Sequence, residues 1–271
     1  MRELELSQSK PLVLKLGGSV LTDKTTELGV HMQTVSRLAE EILEANPQKL
    51  IIVHGGGSFG HPIAQKHCIK EGYKEESQKI GFAETHHVMT VLNGLLMDAL
   101  IWRGIPAISI SPSSCLITRN GRIKCFEDAP IKRLLNMGFI PVLYGDAVLD
   151  EELGFTILSG DQLTAFLALL FDAEKIIVGV DVDGVFNADP KSARNARMFE
   201  HLTLEELKEV QKSAGGSGGV DVTGGMSAKI EELIKAVEKG IPVLIVNAAK
   251  PKNIYKALKG ERVKGTIIEK E

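Results

Sequence analysis

Apolar residues in this chain fall into short unbroken runs that alternate with stretches of helical spacing. The run "PLVLKLGGSVL" (11–21) has strand length, carries one charge at Lys15 and ends in Gly17-Gly18-Ser19. "TVSRLAEEILEA" (34–45) then repeats its apolar positions every three or four residues. "KLIIVHGGG" is a second run that ends in glycines. Two strand, glycine turn, helix units in succession predict an α/β fold with a doubly wound, mainly parallel sheet flanked by helices. "ETHHVMTVLNGLLMDALIWRG" (84–104) predicts a long helix, and "IPAISI" behind it a further strand.

The pattern then changes. In "CLITRNGRIKCF" the pair Asn120-Gly121 stands between alternating segments, which predicts a two-residue hairpin. "FIPVLYGDAVLDEELGFTILSGD" (139–161) reads as a strand, then a second inserted β-hairpin that returns to a helix start at Ser159-Gly160-Asp161. The final third goes back to the α/β theme. It has a strand in "AEKIIVGVDVDGVF", an amphipathic helix in "MSAKIEELIKAVEKG" (226–240) opened by Gly224-Gly225, and closing strands in "IPVLIVNA" and "VKGTIIEK". The stretch "KSAGGSGGVDVTGG" (212–225) has the composition of a linker and the position of a glycine loop that closes on phosphate; both readings stand.

A chain of 271 residues holds one α/β domain or two small lobes. With 44% hydrophobic and 25% charged residues and a net charge of −3, it has no basic excess, so nucleic acid is not an expected partner. No stretch reaches the roughly 18 apolar residues of a membrane helix, and "MRELELSQSK" lacks a signal-peptide core. The expectation is a cytoplasmic protein with no membrane partner. Cys68, Cys115 and Cys125 have neither disulfide nor zinc spacing.

Glycine turns at strand ends let backbone N–H groups approach an anion, and the helix start that follows adds partial positive charge. Gly17-Gly18-Ser19, Gly55-Gly56-Gly57 and Gly224-Gly225 are such turns, and their number suits a ligand with several phosphates. None has the spacing of a P-loop or a dinucleotide fingerprint, which argues against hydride transfer. Lys15 either reaches water from an edge strand or meets an anion. Lys24 is a solvated loop residue or a phosphate partner. Lys229 opposes the dipole of its helix start, so it is a solvated residue or has a compensating anion. Asp161 caps its helix, or orients the lysines if they converge. Asp181 and Asp183 mark an acidic surface loop or a turn that faces a nucleotide. His54 ends a strand and reads as structural. Phe82, His86, Met89 and Asn93 recur at helical spacing, as core or as a pocket wall.

Taken in order, these segments resemble the amino-acid kinase superfamily and, within it, the archaeal-type isopentenyl phosphate kinases. The resemblance rests on "LKLGGSVLTDK" (14–24), "VHGGGSFGHP" (53–62), "LSGDQLT" (158–164), "GVDVDGVFNADPK" (179–191) and "DVTGGMSAK" (221–229), and spans nearly the whole chain from position 11. The histidine after G-G-G-S-F-G, here His61, is the feature shared with the isopentenyl phosphate kinases. Fosfomycin kinases look similar there, and kinases of nucleoside monophosphates and a non-catalytic nucleotide sensor are further alternatives. Gln162 departs from the second polar or acidic residue common at its position and is given no role.

The resemblance implies one domain over 1–271, with an acceptor-binding lobe at about 11–172 and a nucleotide-binding lobe at about 173–271. It implies a homodimer and transfer of a phosphoryl group from ATP to isopentenyl phosphate. Mg²⁺ is expected to bridge the ATP phosphates mostly through water, with no protein metal ligands. It assigns Lys15 to the transferred phosphoryl group, Lys24 to its transition state, Lys229 to the outer nucleotide phosphates and Asp161 to orienting the lysines. Gly17, Gly18, Ser19, Gly57, Asp181, Asp183, Lys191, Gly224 and Gly225 fall on the ATP side. Gly56, Gly57, Gly160 and His61 fall at the acceptor phosphate, and Phe82, His86 and Met89 at its apolar tail. A phosphate monoester, with a second pKa of about 6, needs no general base near neutral pH. Catalysis is therefore expected to rest on positioning and charge neutralisation.

Overall fold

The run Leu12–Leu16 forms strand β1 inside the sheet, covered on both faces, which is why it reads as a continuous apolar run. The computed structural model describes residues 9–23, 25, 26, 28–188, 190, 193, 195–214 and 226–271; Lys24, Lys191, Gly224 and Gly225 lie outside the described residues. The main sheet also contains β2 (Leu50–His54), β3 (Ala107–Ser109), β6 (Ile140–Tyr144), β9 (Lys175–Val180), β10 (His201–Thr203), β11 (Val243–Asn247) and β12 (Gly265–Glu269). Their order is β10-β12-β11-β9-β1-β2-β6-β3, parallel except where β11 meets β12. A second sheet holds the two predicted hairpins, β4 (Leu116–Arg119) with β5 (Arg122–Phe126) and β7 (Asp146–Asp150) with β8 (Gly154–Leu158). Asn120 and Gly121 take φ of 50° and 73° in the first hairpin, the left-handed pair that a tight type I′ turn requires.

Alternate strand residues face two separate cores. Val13, Ile51, Val53, Ile176 and Val178 meet α6 (Gly160–Leu170) and α8 (Met226–Glu238) through Leu163, Leu167, Ile230 and Leu233. Leu14, Leu16, Ile52 and Ile177 meet α2 (Met32–Ala45), the end of α4 (Gln78–Ile101) and α9 (Asn253–Lys259). Helices α1 (Gly18–Leu21), α3 (Gly57–Lys66), α5 (Ala129–Asn136) and α7 (Leu204–Ala214) complete the set used below. From β1 the chain moves to β2 on one side and later returns to β9 on the other. That reversal is a topological switch point at the carboxyl ends of β1 and β9, the position at which α/β sheets bind ligands.

Two expectations change. The long helix begins at Gln78 rather than near residue 84, since its early turns are anchored by Phe82 on Phe155, ring centroids 5.1 Å apart, and by Gly81 against the ring of His67. The glycine stretch after β2, expected as a turn through Gly57, enters α3 at Gly57 itself, so His61 stands one turn inside a helix. Gly60 permits this by leaving room for the Met89 sulfur, which would lie 2.9 Å from a Cβ built there.

Candidate active site

The site is built first from bare backbone. The ladder runs past the strand ends: Gly17 N donates to Gly179 O at 2.8 Å, Gly55 N to Leu16 O at 3.0 Å and Gly145 N to His54 O at 3.0 Å. This draws the turns after β1, β2, β6 and β9 together at one end of the sheet. A Cβ on Gly18 would sit 2.2 Å from Gly57 N, and one on Gly57, at φ +50°, 2.0 Å from Thr22 Oγ1. No side chain fits between the two turns, so both positions need glycine. Thr22 ties them: its Oγ1 donates to Gly18 O at 2.8 Å and accepts from Ser58 N at 3.0 Å. Gly160, at the start of α6, packs against the same group, with a Cβ there 3.0 Å from His54 O.

Charge converges beside these turns. Lys15 Nζ lies 2.8 Å from Asp161 Oδ1, and Lys229 Nζ 3.4 Å from Asp161 Oδ2. Lys15 is on a central strand with a side chain 3% exposed, so the edge-strand reading does not apply. Ser159, not Asp161, caps α6, through a hydrogen bond of 3.1 Å donated by Gln162 N. Burial pushes the Lys15 ammonium below its ordinary value, and the Asp161 carboxylate opposes that shift. Burial also acts to raise Asp161, but the two ammonium groups outweigh it and hold the carboxyl below its usual range. One carboxylate thus faces two lysines, and an anion arriving here would meet a net positive charge.

The other face of the sheet is treated differently. His54 is fully buried, stacks on Tyr144 with centroids 5.3 Å apart, and lies 3.2 Å through Nδ1 from Gly55 O. Asn93 Nδ2 stands 3.2 Å from His54 Nε2, and Asn93 Oδ1 accepts from Ser109 Oγ at 2.5 Å. In a chain of this sense Nδ1 carries the proton and Nε2 accepts. Burial pushes the imidazole down to about 4, so it is neutral near pH 7.

Of the residues expected at the acceptor, His61 is exposed on α3. Across from α3, Met89 is buried with its sulfur under Gly56 and Gly60. Phe82 lies in a cluster with Phe155 and Ile157. His86, on the same face of α4, is not an apolar wall residue: its Nδ1 is 3.0 Å from both oxygens of Asp146 and 3.5 Å from Ser113 Oγ. Burial pushes the Asp146 carboxyl up to about 6, against the pull of His86. Asp146 follows Gly145 at the end of β6, and its position after a strand-ending glycine was the only sequence signal for it. Asp183, expected on the ATP side, is held by Lys250 at 2.6 Å, Lys264 at 2.9 Å and Asn247 Nδ2 at 3.0 Å. Among the described residues no three acidic, histidine or cysteine side chains gather as a metal site.

The amino acid kinase family model matches residues 10–247. The chain belongs to the amino acid kinase family. Within that family it is similar to isopentenyl phosphate kinases. That of Methanothermobacter thermautotrophicus is 42% identical over 265 residues, covering 95% of this chain and 98% of that one. The enzyme of Methanocaldococcus jannaschii is 38% identical over 267 residues, with 95% and 98% covered. A solved isopentenyl phosphate kinase structure matches this chain with a TM-score of 0.85 at 39% identity, covering 95% of this chain and 100% of that one.

Proposed function

We propose that this member of the amino acid kinase family transfers the γ-phosphoryl group of ATP to isopentenyl phosphate, giving isopentenyl diphosphate and ADP. The observation that carries this reading is the convergence of Lys15 and Lys229 on Asp161 beside glycine turns, in a chain similar over nearly its full length to isopentenyl phosphate kinases. The acceptor oxygen needs no base, so the task is to bring two polyanions together and neutralise charge moving toward the bridging oxygen. Lys15 contacts the transferred group, Lys24 stabilises it in the transition state and Lys229 holds the outer nucleotide phosphates. Asp161 keeps the two ammonium groups it touches apart and aimed. The backbone of Gly17, Gly18 and Ser19 cradles ATP. Gly56 and Gly57 lie between donor and acceptor phosphates, Gly160 near the acceptor, and His61 donates to the acceptor phosphate. Mg²⁺ brought in with ATP would supply further neutralisation of the phosphates beside Lys15 and Lys229.

Residues 11–172 form the acceptor lobe in this proposal and 173–271 the nucleotide lobe. Two copies pair through the outer face of α4, where Ile80, Val91, Ile101 and Trp102 are exposed and Gly94 leaves an open surface. No helix among the described residues is long and apolar enough to cross a membrane, and we place the protein in the cytoplasm. The test is an acceptor screen with isopentenyl phosphate, dimethylallyl phosphate, fosfomycin and uridylate, with products identified by mass spectrometry. Preferred turnover of isopentenyl phosphate, and its loss by orders of magnitude in His61→Ala, is expected. Preference for uridylate or fosfomycin would defeat the proposal.

A further inference from the structure

The Asn120-Gly121 hairpin reaches both halves of the charged cluster. On one side it is fastened to α6 at the residue after Asp161: Gln162 Nε2 donates to Gly121 O at 3.0 Å, and Gln162 Oε1 accepts from Ile123 N at 3.1 Å. On the other side Arg122 makes a two-pronged ion pair with Glu232 of α8, Nη1 to Oε1 at 2.5 Å and Nη2 to Oε2 at 2.7 Å. Glu232 follows Lys229 by three residues, so both project from one stripe of α8. The hairpin is itself held at its turn. Asp150 accepts from Asn120 N at 3.1 Å, Gly121 N at 2.8 Å and Thr118 Oγ1 at 2.8 Å.

We infer that the β4–β5 hairpin is a clamp that positions Lys229: Gln162 and Arg122 together set the separation of α6 and α8 at the point where Lys229 meets Asp161. Without the clamp, α8 is located against α6 by apolar contacts such as Ile230 and Leu233. Those contacts are non-directional and leave room for the helix to slide or turn. The paired N–H groups of Arg122 remove that freedom, because a fork-to-fork contact fixes orientation as well as distance. Gln162 thereby has a part in the site, as a positioning residue that touches no substrate. A displacement of about 1 Å in a phosphate-binding ammonium is enough to lower turnover as much as 10²-fold.

The inference rests on the reading that Lys229 holds ATP phosphates, so Lys229→Gln is measured in parallel. Arg122→Glu sets two carboxylates against each other. We expect it to lower kcat/KM for ATP by about tenfold while KM for isopentenyl phosphate and Tm stay near those of the parent, since the pair is partly solvated and adds little stability. The double exchange Arg122→Glu with Glu232→Arg is expected to recover most of the loss. Unchanged ATP kinetics in Arg122→Glu, or no recovery in the double variant, overturns the clamp while leaving the Lys229 assignment intact. Full activity in Lys229→Gln overturns that assignment and the clamp with it.

Discussion

At the carboxyl end of the sheet, the last turn of β1 carries buried charge on the α6–α8 face, while one strand away the end of β2 carries buried polarity without charge on the α4 face. Lys15 sits beside Val53 in the ladder and Leu16 beside His54, so the two groups are neighbours in register and separated by the thickness of the sheet. Lys15, Asp161 and Lys229 form an unbalanced set of two cations and one anion. His54, Asn93 and Ser109 form a closed neutral chain in which each group meets a partner. A buried unbalanced charge is unfavourable for folding alone and makes sense where an incoming polyanion completes it. The neutral chain has no such debt to a ligand: it holds the peptide of Gly55 and so the shape of the glycine turn.

That contrast predicts that the two networks fail differently. The largest effect is expected from Lys15→Met, with kcat/KM lower by about 10³-fold and the fold retained by circular dichroism; activity within tenfold of the parent would erase the distinction. The next is a pH effect on stability. Burial pushes the folded His54 from the ordinary 6.5 down to about 4, so between these values the unfolded chain binds a proton that the folded chain refuses. Stability from this group is therefore present above pH 6.5 and is lost as pH falls toward 4, by about 3 kcal/mol in total. Asp146, raised from 3.8 to about 6, works in the opposite direction over an overlapping window. Comparing the parent with His54→Gln in urea at several pH values cancels Asp146, and the gap should narrow as pH falls; a gap independent of pH would refute the buried neutral state. At pH 7, His54→Phe keeps the stack on Tyr144 but strands the Asn93 amide and the Gly55 carbonyl, and should lower unfolding free energy by about 2 kcal/mol while lowering kcat far less than Lys15→Met does. The smallest effect is expected from Met89→Ala, which opens space beneath α3 and should move preference toward longer alkyl monophosphates by about tenfold or less; an unchanged chain-length profile would remove Met89 from the tail pocket.

Much of this was legible along the chain. The unbroken runs at β1, β2, β9 and β11 announced strands covered on both faces, and Lys15 stood out because nothing else in its strand was charged. Asn120-Gly121 announced its hairpin through backbone conformation alone. The Asp146–His86 pair, separated by 60 positions, was invisible because no periodicity links residues that meet only through the packing of a helix on a second sheet. Helix α9 was missed for its shortness: its start is held by Glu41 of α2, which accepts from the backbone N of Lys252, Ile254 and Tyr255, a cap supplied from 211 to 214 residues away. The helix that carries His61 is not legible either, because three glycines conceal its start and its packing depends on the room they leave for the Met89 sulfur.

The contact between Gly18 and Gly57 has a consequence for how such a catalyst can change. The two turns, which in the proposed function hold phosphates from opposite sides, touch backbone to backbone, with no rotamer between them to lengthen or shorten the gap. They act as a gauge block of fixed width. New acceptors must then be gained at surfaces away from the block, along α3 and α4, while the distance between the reacting phosphates stays the same for every substrate the fold admits.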